Sequence, residues 1–173
     1  MTDPAMATLL EADGRVALRF VRRFAHPPEK VWRAITESEH LQHWLPCDIV
    51  GERAEGAGVE LPFWPAHVEA YGLDMTPSLS GEIRVWQPPE VFEWSWDTDL
   101  LRWELVPDGD GTVLTFTTWL GDVGHPAEKT AAGYHVCLDQ LAELVATGTV
   151  AQPLVAVDVG PFEDRYRDVV GAD

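Results

Sequence analysis

His40 and His43 stand at i, i+3 in the run Ser38-Glu39-His40-Leu41-Gln42-His43-Trp44. On a helix that spacing puts both imidazoles on one side, where they could share a metal. No third ligand is evident beside them, so the expectation is two solvent-facing rings, no metal and no cofactor. His67, Tyr71 and Asp74 form a second group. They are acid/base types and would serve in proton transfer if their loop folded inward. Tyr134 is a third candidate, a phenol on an otherwise apolar helical stripe, whose hydroxyl needs a partner once buried. The largest group is apolar. Phe92, Trp94 and Trp96 alternate along one segment, with Trp103 and Phe116 at matching positions of the next two. Such side chains either wall a cavity for an apolar or aromatic ligand or fill a core, and the sequence leaves both readings open.

Several chemistries are not written here. No nucleophile stands at a readable spacing from a base and an orienting acid. No glycine-rich phosphate loop occurs. Asp108-Gly109-Asp110-Gly111 resembles the start of a calcium loop but lacks the later ligands, and it reads as a hairpin turn.

The 173 residues carry 29 Asp+Glu against 12 Lys+Arg, a formal charge of −17. That balance argues against nucleic acid and anionic lipid as partners, because both need a basic face. It favours neutral or cationic small molecules. Met1 to Met6 hold neither a basic region nor an apolar core, so no signal peptide is expected. No run nears the length of a membrane span. Cys47 and Cys137 have no CxxC spacing and read as reduced, buried thiols, which together with the rest points to the cytoplasm.

The elements that must position these groups follow from periodicity. Residues 15–24 alternate, with Val16, Leu18, Phe20 and Phe24 on one side and Arg15, Arg19 and Arg23 on the other. Arg22 breaks the pattern and reads as a bulge or an arm reaching past a sheet edge. Pro28 opens a helix over 28–36, and Ser38 caps a second over 39–44 that Pro46 stops. Weak strands follow at 47–50 and 59–63. Residues 64–78, with Trp64, His67, Tyr71 and Met75, read as a long irregular loop and a natural lid. Strands at 82–87, 91–97, 100–106 and 112–120 make an antiparallel meander. In strict alternation Trp86 and Trp119 face away from the other tryptophans, and Trp32 belongs to helix packing. Tyr134, Leu138, Leu141 and Val145 recur at i, i+4, i+7, i+11 on a helix of about 22 residues. His135 falls beside that stripe and is expected to be exposed. The segment 161–170 reads as a short docking helix or a free tail.

Three segments carry a family resemblance. They are Ala25-His26-Pro27-Pro28-Glu29-Lys30-Val31-Trp32-Arg33-Ala34-Ile35-Thr36 with Glu39-His40-Leu41 and Trp44, then Pro88-Pro89 ahead of Phe92-Glu93-Trp94-Ser95-Trp96, then Gly133 to Leu141. With the order of elements, they resemble the START-like (SRPBCC) superfamily, in its bacterial branch named for the activator of heat-shock-protein-90 ATPase. The resemblance covers about residues 10–148. It implies an α+β helix-grip fold, a curved antiparallel sheet of about seven strands around a long C-terminal helix, with two short helices after the first strand. It also implies a cavity between sheet and helix, but no single activity. On that footing the chain divides into an N-terminal extension (1–13), the helix-grip domain (14–149) and a tail (150–173). The cavity candidates are Trp44, Trp64, Tyr71, Phe92, Trp94, Trp96, Trp103, Phe116, Tyr134, Leu138 and Leu141, with no catalytic residue assigned.

Three functions remain in view. The first is binding or transport of a hydrophobic small molecule. The second is a cyclase, dehydratase or hydrolase using Tyr134 with a lid histidine or aspartate. The third is a chaperone-partner protein offering an apolar patch from the tail. A homodimer through a sheet edge or the tail is compatible with each.

Overall fold

The alternation over Arg15–Phe24 does what its period demands, forming a strand with Leu18, Phe20 and Phe24 buried beneath it. A computed structural model describes residues 5–12, 14–74, 78–121 and 126–170. Its strands are β1 (Thr8–Ala12), β2 (Arg15–Phe24), β3 (Gly58–Leu61), β4 (Leu79–Gln87), β5 (Val91–Trp96), β6 (Asp99–Asp108) and β7 (Gly111–Trp119). They form one seven-stranded curved antiparallel sheet in the order β1-β2-β7-β6-β5-β4-β3. Residues 8–12, read from the sequence as lying outside the domain, are thus the edge strand of the sheet, paired along β2. The two short helices come after the second strand.

Those helices are α1 (Pro28–Thr36) and α2 (Ser38–Leu41). The second is shorter than expected. Ser38 does not cap it but donates to Asp48 Oδ1 at 2.6 Å. Residues 47–50 contribute two isolated bridges, Cys47 to Phe63 and Val50 to Glu60, in place of a full strand. The expected loop 64–78 contains a helix, α3 (Pro65–Tyr71), closed by Gly72 in the left-handed conformation at φ 60°. Pro65 at the first helical position explains it, since a proline there loses no hydrogen bond. Met75 lies outside the described residues.

The long helix α4 (Ala127–Thr147) ends on Gly148, whose φ of 81° supplies the left-handed cap. Tyr134, Leu138, Leu141 and Val145 are all buried against the concave face of the sheet, with the Tyr134 and Phe116 rings 4.9 Å apart. A 3₁₀ turn (Leu154–Ala156) and α5 (Gly160–Val170) then pack on the back of α4. The result is an α+β helix-grip fold.

Trp86 does not face away from the core. The register between β4 and β5 slips between Ile83 and Val85, and Trp86 comes to pair with Phe92. This bulge moves one residue across the pleat, so every side chain beyond it changes face. Trp86 then packs edge-on against Phe92 at 5.3 Å and against Trp32 at 5.1 Å. Trp119 stays on the outer face, opposite Ala17 and Leu100. Arg22 neither bulges nor leaves the sheet. Its guanidinium donates to Ala5 O at 2.8 Å and approaches Asp139 of α4 at 3.6 Å.

Candidate functional site

The cavity candidates named from the sequence separate into two populations, with Trp64 outside both. Trp44, Phe92, Trp94, Trp103, Phe116, Leu138 and Leu141 are sealed in the core, each at most 1% exposed. Trp103 stacks on Phe116 at 3.9 Å with the rings 14° from parallel, and Trp44 meets it edge-on at 5.4 Å. The Trp44 indole donates to Ala34 O at 2.9 Å. Trp64 is half-buried where the chain enters α3, its indole donating to Leu45 O at 2.8 Å.

Tyr71, Trp96 and Tyr134 belong to the second population. Together with Pro46, His67, Gly133 and Cys137 they line a pocket of about 240 Å³. Leu154 and Val159, from the segment between α4 and α5, form its remaining wall. The pocket therefore lies between α3, the first half of α4 and the C-terminal segment. A second recess of about 240 Å³ shares Trp96 and Tyr134, and contains Asp97 and Asp99. The carboxylates belong to this second recess. No charged side chain lines the first pocket.

Local chemistry follows from burial. His67 is 4% exposed, and neither ring nitrogen has a hydrogen-bond partner. Desolvation lowers its pKa, so the ring is held neutral. Tyr71 lies over it with ring centroids 6.0 Å apart. Burial raises the Tyr134 phenol well above its usual value, and nearby Asp99 adds to the effect. Its hydroxyl is beside Thr118 of β7, whose own Oγ1 makes no well-formed hydrogen bond. Burial pushes the Cys137 thiol up to about 12, which leaves it without nucleophilic thiolate near neutral pH. Asp74, the third acid/base group of the loop, does not line this pocket.

The His67 shift has a consequence for stability. The unfolded ring gains a proton below about pH 6.5 while the folded ring resists it. The unfolded state then binds more protons, so stability is full above that pH and falls as the pH drops below it. His67→Phe should flatten this acid-side loss. Urea midpoints at pH 7.5 and 5.0 measure it, and equal losses in both proteins would contradict it.

His135 is buried, not exposed. Its Nδ1 lies 2.8 Å from the Tyr166 hydroxyl, its Nε2 3.5 Å from Asp139, and its ring 4.6 Å from Phe162. The covering element is α5, which gives α4 a second buried face. This group turns away from the pocket, whose helix residues are Thr130, Gly133, Tyr134, Val136 and Cys137. His40 pairs with Glu37 at 3.6 Å and Glu39 at 3.7 Å on the surface.

Residues 25–146 match the protein family described as Activator of Hsp90 ATPase homolog 1-like protein. The chain belongs to this family. No curated protein matches it at significant similarity. Among solved structures, the conserved protein of unknown function EF2215 from Enterococcus faecalis is similar over 95% of this chain and 90% of its own, at 18% identity and a TM-score of 0.76. CalU16 from Micromonospora echinospora is similar over 96% and 94%, at 16% identity and a TM-score of 0.66. DynU16, described as a putative protein in the dynemicin biosynthetic locus, is similar over 79% and 49%, at 19% identity and a TM-score of 0.58. At these identities the likeness is one of fold. No helix among the described residues is long and apolar enough to cross a membrane.

In this member of the Hsp90-ATPase-activator-like family, sequence reasoning missed Pro46, Thr130, Gly133, Val136, Cys137, Leu154 and Val159 as pocket residues. Gly133 carried a readable signal. A glycine inside a helix costs about 1 kcal/mol relative to alanine, and this one directly precedes the stripe tyrosine. Leu154 and Val159 carried none, because their position depends on how the tail folds back.

Proposed function

We propose that this protein binds an apolar, aromatic small molecule in the pocket between α3, α4 and the C-terminal segment. The observation that supports this most directly is Gly133. It lies mid-helix in the pocket wall, and a Cβ built there meets no atom within 4 Å. A side chain at this position would occupy the pocket itself. The lining around it is apolar with a few neutral polar groups, the usual composition of a small-molecule site. A volume of about 240 Å³ lies below the usual range for drug-sized ligands and suits one or two rings. One structural neighbour is described as belonging to a biosynthetic locus, which agrees with a small-molecule ligand.

Substitution at Gly133 tests this. Gly133→Ala should stabilise the fold by about 0.5–1 kcal/mol, because alanine is the better helix former and the space is free. Gly133→Phe should leave the protein folded and remove binding. The readout is isothermal titration calorimetry against a panel of one- and two-ring aromatics. No binding to wild type, or equal binding to Gly133→Phe, would reject the pocket as the site.

An enzymic reading keeps one observation in its favour: His67, Tyr71 and Tyr134, all titratable, line the same pocket. Mass spectrometry of a bound compound after prolonged incubation separates the two, since a carrier returns it unchanged. The chaperone-partner reading gains no support from α5, whose Phe162 and Tyr166 are turned onto α4.

A further inference from the structure

A buried polar group left without a partner destabilises the fold that holds it. His67 leaves two such atoms, Nδ1 and Nε2, in the wall of an apolar pocket. Nothing in the fold uses them. The residue stands between two spaces, since it also borders a groove of about 360 Å³ with His43, Trp64 and Leu154. Tyr71, at the end of α3, sets its ring 6.0 Å from the imidazole and is itself 58% exposed.

We infer that His67 is the polar recognition group of the pocket, and that the ligand is an uncharged one- or two-ring aromatic compound carrying a hydroxyl group. This rests on the ligand-binding reading above and narrows it. A neutral imidazole offers one N–H donor and one bare nitrogen acceptor. A hydroxyl both donates and accepts, so it can answer either nitrogen in either tautomer. A charged group is excluded by the lining, which has no opposite charge to meet it. Trp96 and Pro46 supply flat apolar surface for the ring.

The test uses β-naphthol and its near-isostere β-methylnaphthalene, titrated into the full chain by calorimetry at pH 7.5. Wild type should prefer the naphthol by about tenfold or more, the worth of one satisfied buried hydrogen bond. In His67→Phe the preference should fall to about one, with methylnaphthalene binding retained and folding checked by thermal melting. Independently of any variant, the ring ¹⁵N signals of His67 in wild type should move on adding naphthol and stay in place with methylnaphthalene. Equal affinity of both probes for wild type overturns the inference while leaving the pocket reading intact. So does a preference that survives in His67→Phe, or ¹⁵N signals that ignore naphthol. Failure of both probes to bind wild type overturns the inference together with the pocket reading.

Discussion

Replacing Trp103 with alanine should lower the stability of the fold by about 3–5 kcal/mol. The side chain is 1% exposed at the centre of the sheet's concave face. Its cross-strand partners are Phe92 on β5 and Phe116 on β7. Removing the indole takes away the 3.9 Å stack on Phe116 and the edge contact with Trp44. The neighbours cannot collapse into the space, because each is pinned by its own strand or, for Trp44, by the bond to Ala34. Typical domains have about 5–15 kcal/mol in all, so the loss is a large share. Urea unfolding followed by circular dichroism measures it. Trp96→Ala should cost clearly less, since Trp96 is only half-buried at the pocket. Similar losses for the two would mean that both tryptophans belong to one core cluster.

The second large effect is expected at Tyr166. Its hydroxyl accepts from the Ala7 amide at 2.9 Å and meets His135 Nδ1 at 2.8 Å. Tyr166→Phe keeps the ring and strands both partners, at a cost of about 1–3 kcal/mol. Tyr166→Ala adds the loss of a fully buried ring and should cost more. The pH dependence gives a sharper signature. Burial raises the Tyr166 phenol above its ordinary value of 10, so the folded state keeps a proton that the unfolded state has released. Above about pH 10 the folded state therefore binds more protons, and stability falls as the pH rises. Tyr134 acts in the same direction. Tyr166→Phe should shrink this alkaline loss without removing it. An unchanged slope between pH 9 and 11 would argue against a buried, protonated Tyr166.

Most of the fold was legible because its signals are local. Period-two alternation located β2 and the meander, and the stripe from Tyr134 to Val145 located α4. What escaped depends on relations between distant segments. The Trp86 face required a one-residue bulge, which leaves no mark in the alternation of either strand. The burial of His135 required α5 to dock, although the spacing of Phe162 and Tyr166 hinted at an apolar stripe. The site was less legible than the fold. An inward aromatic can be core or pocket, and the choice is made by what stands opposite. Trp103 faces Phe116 and is sealed; Trp96 faces the gap beside Gly133 and is open.

The bond between Tyr166 and Ala7 joins residues 159 apart, and it orders events in the making of the protein. Translation delivers Tyr166 159 residues after Ala7. At about 5–20 residues per second, the amide of Ala7 waits roughly ten to thirty seconds for its partner. Leu154 and Val159 arrive shortly before Tyr166, so a nascent chain that stops short of them lacks that wall of the pocket. The wall supplied by Leu154 and Val159 is thus the last part of the pocket to be synthesised.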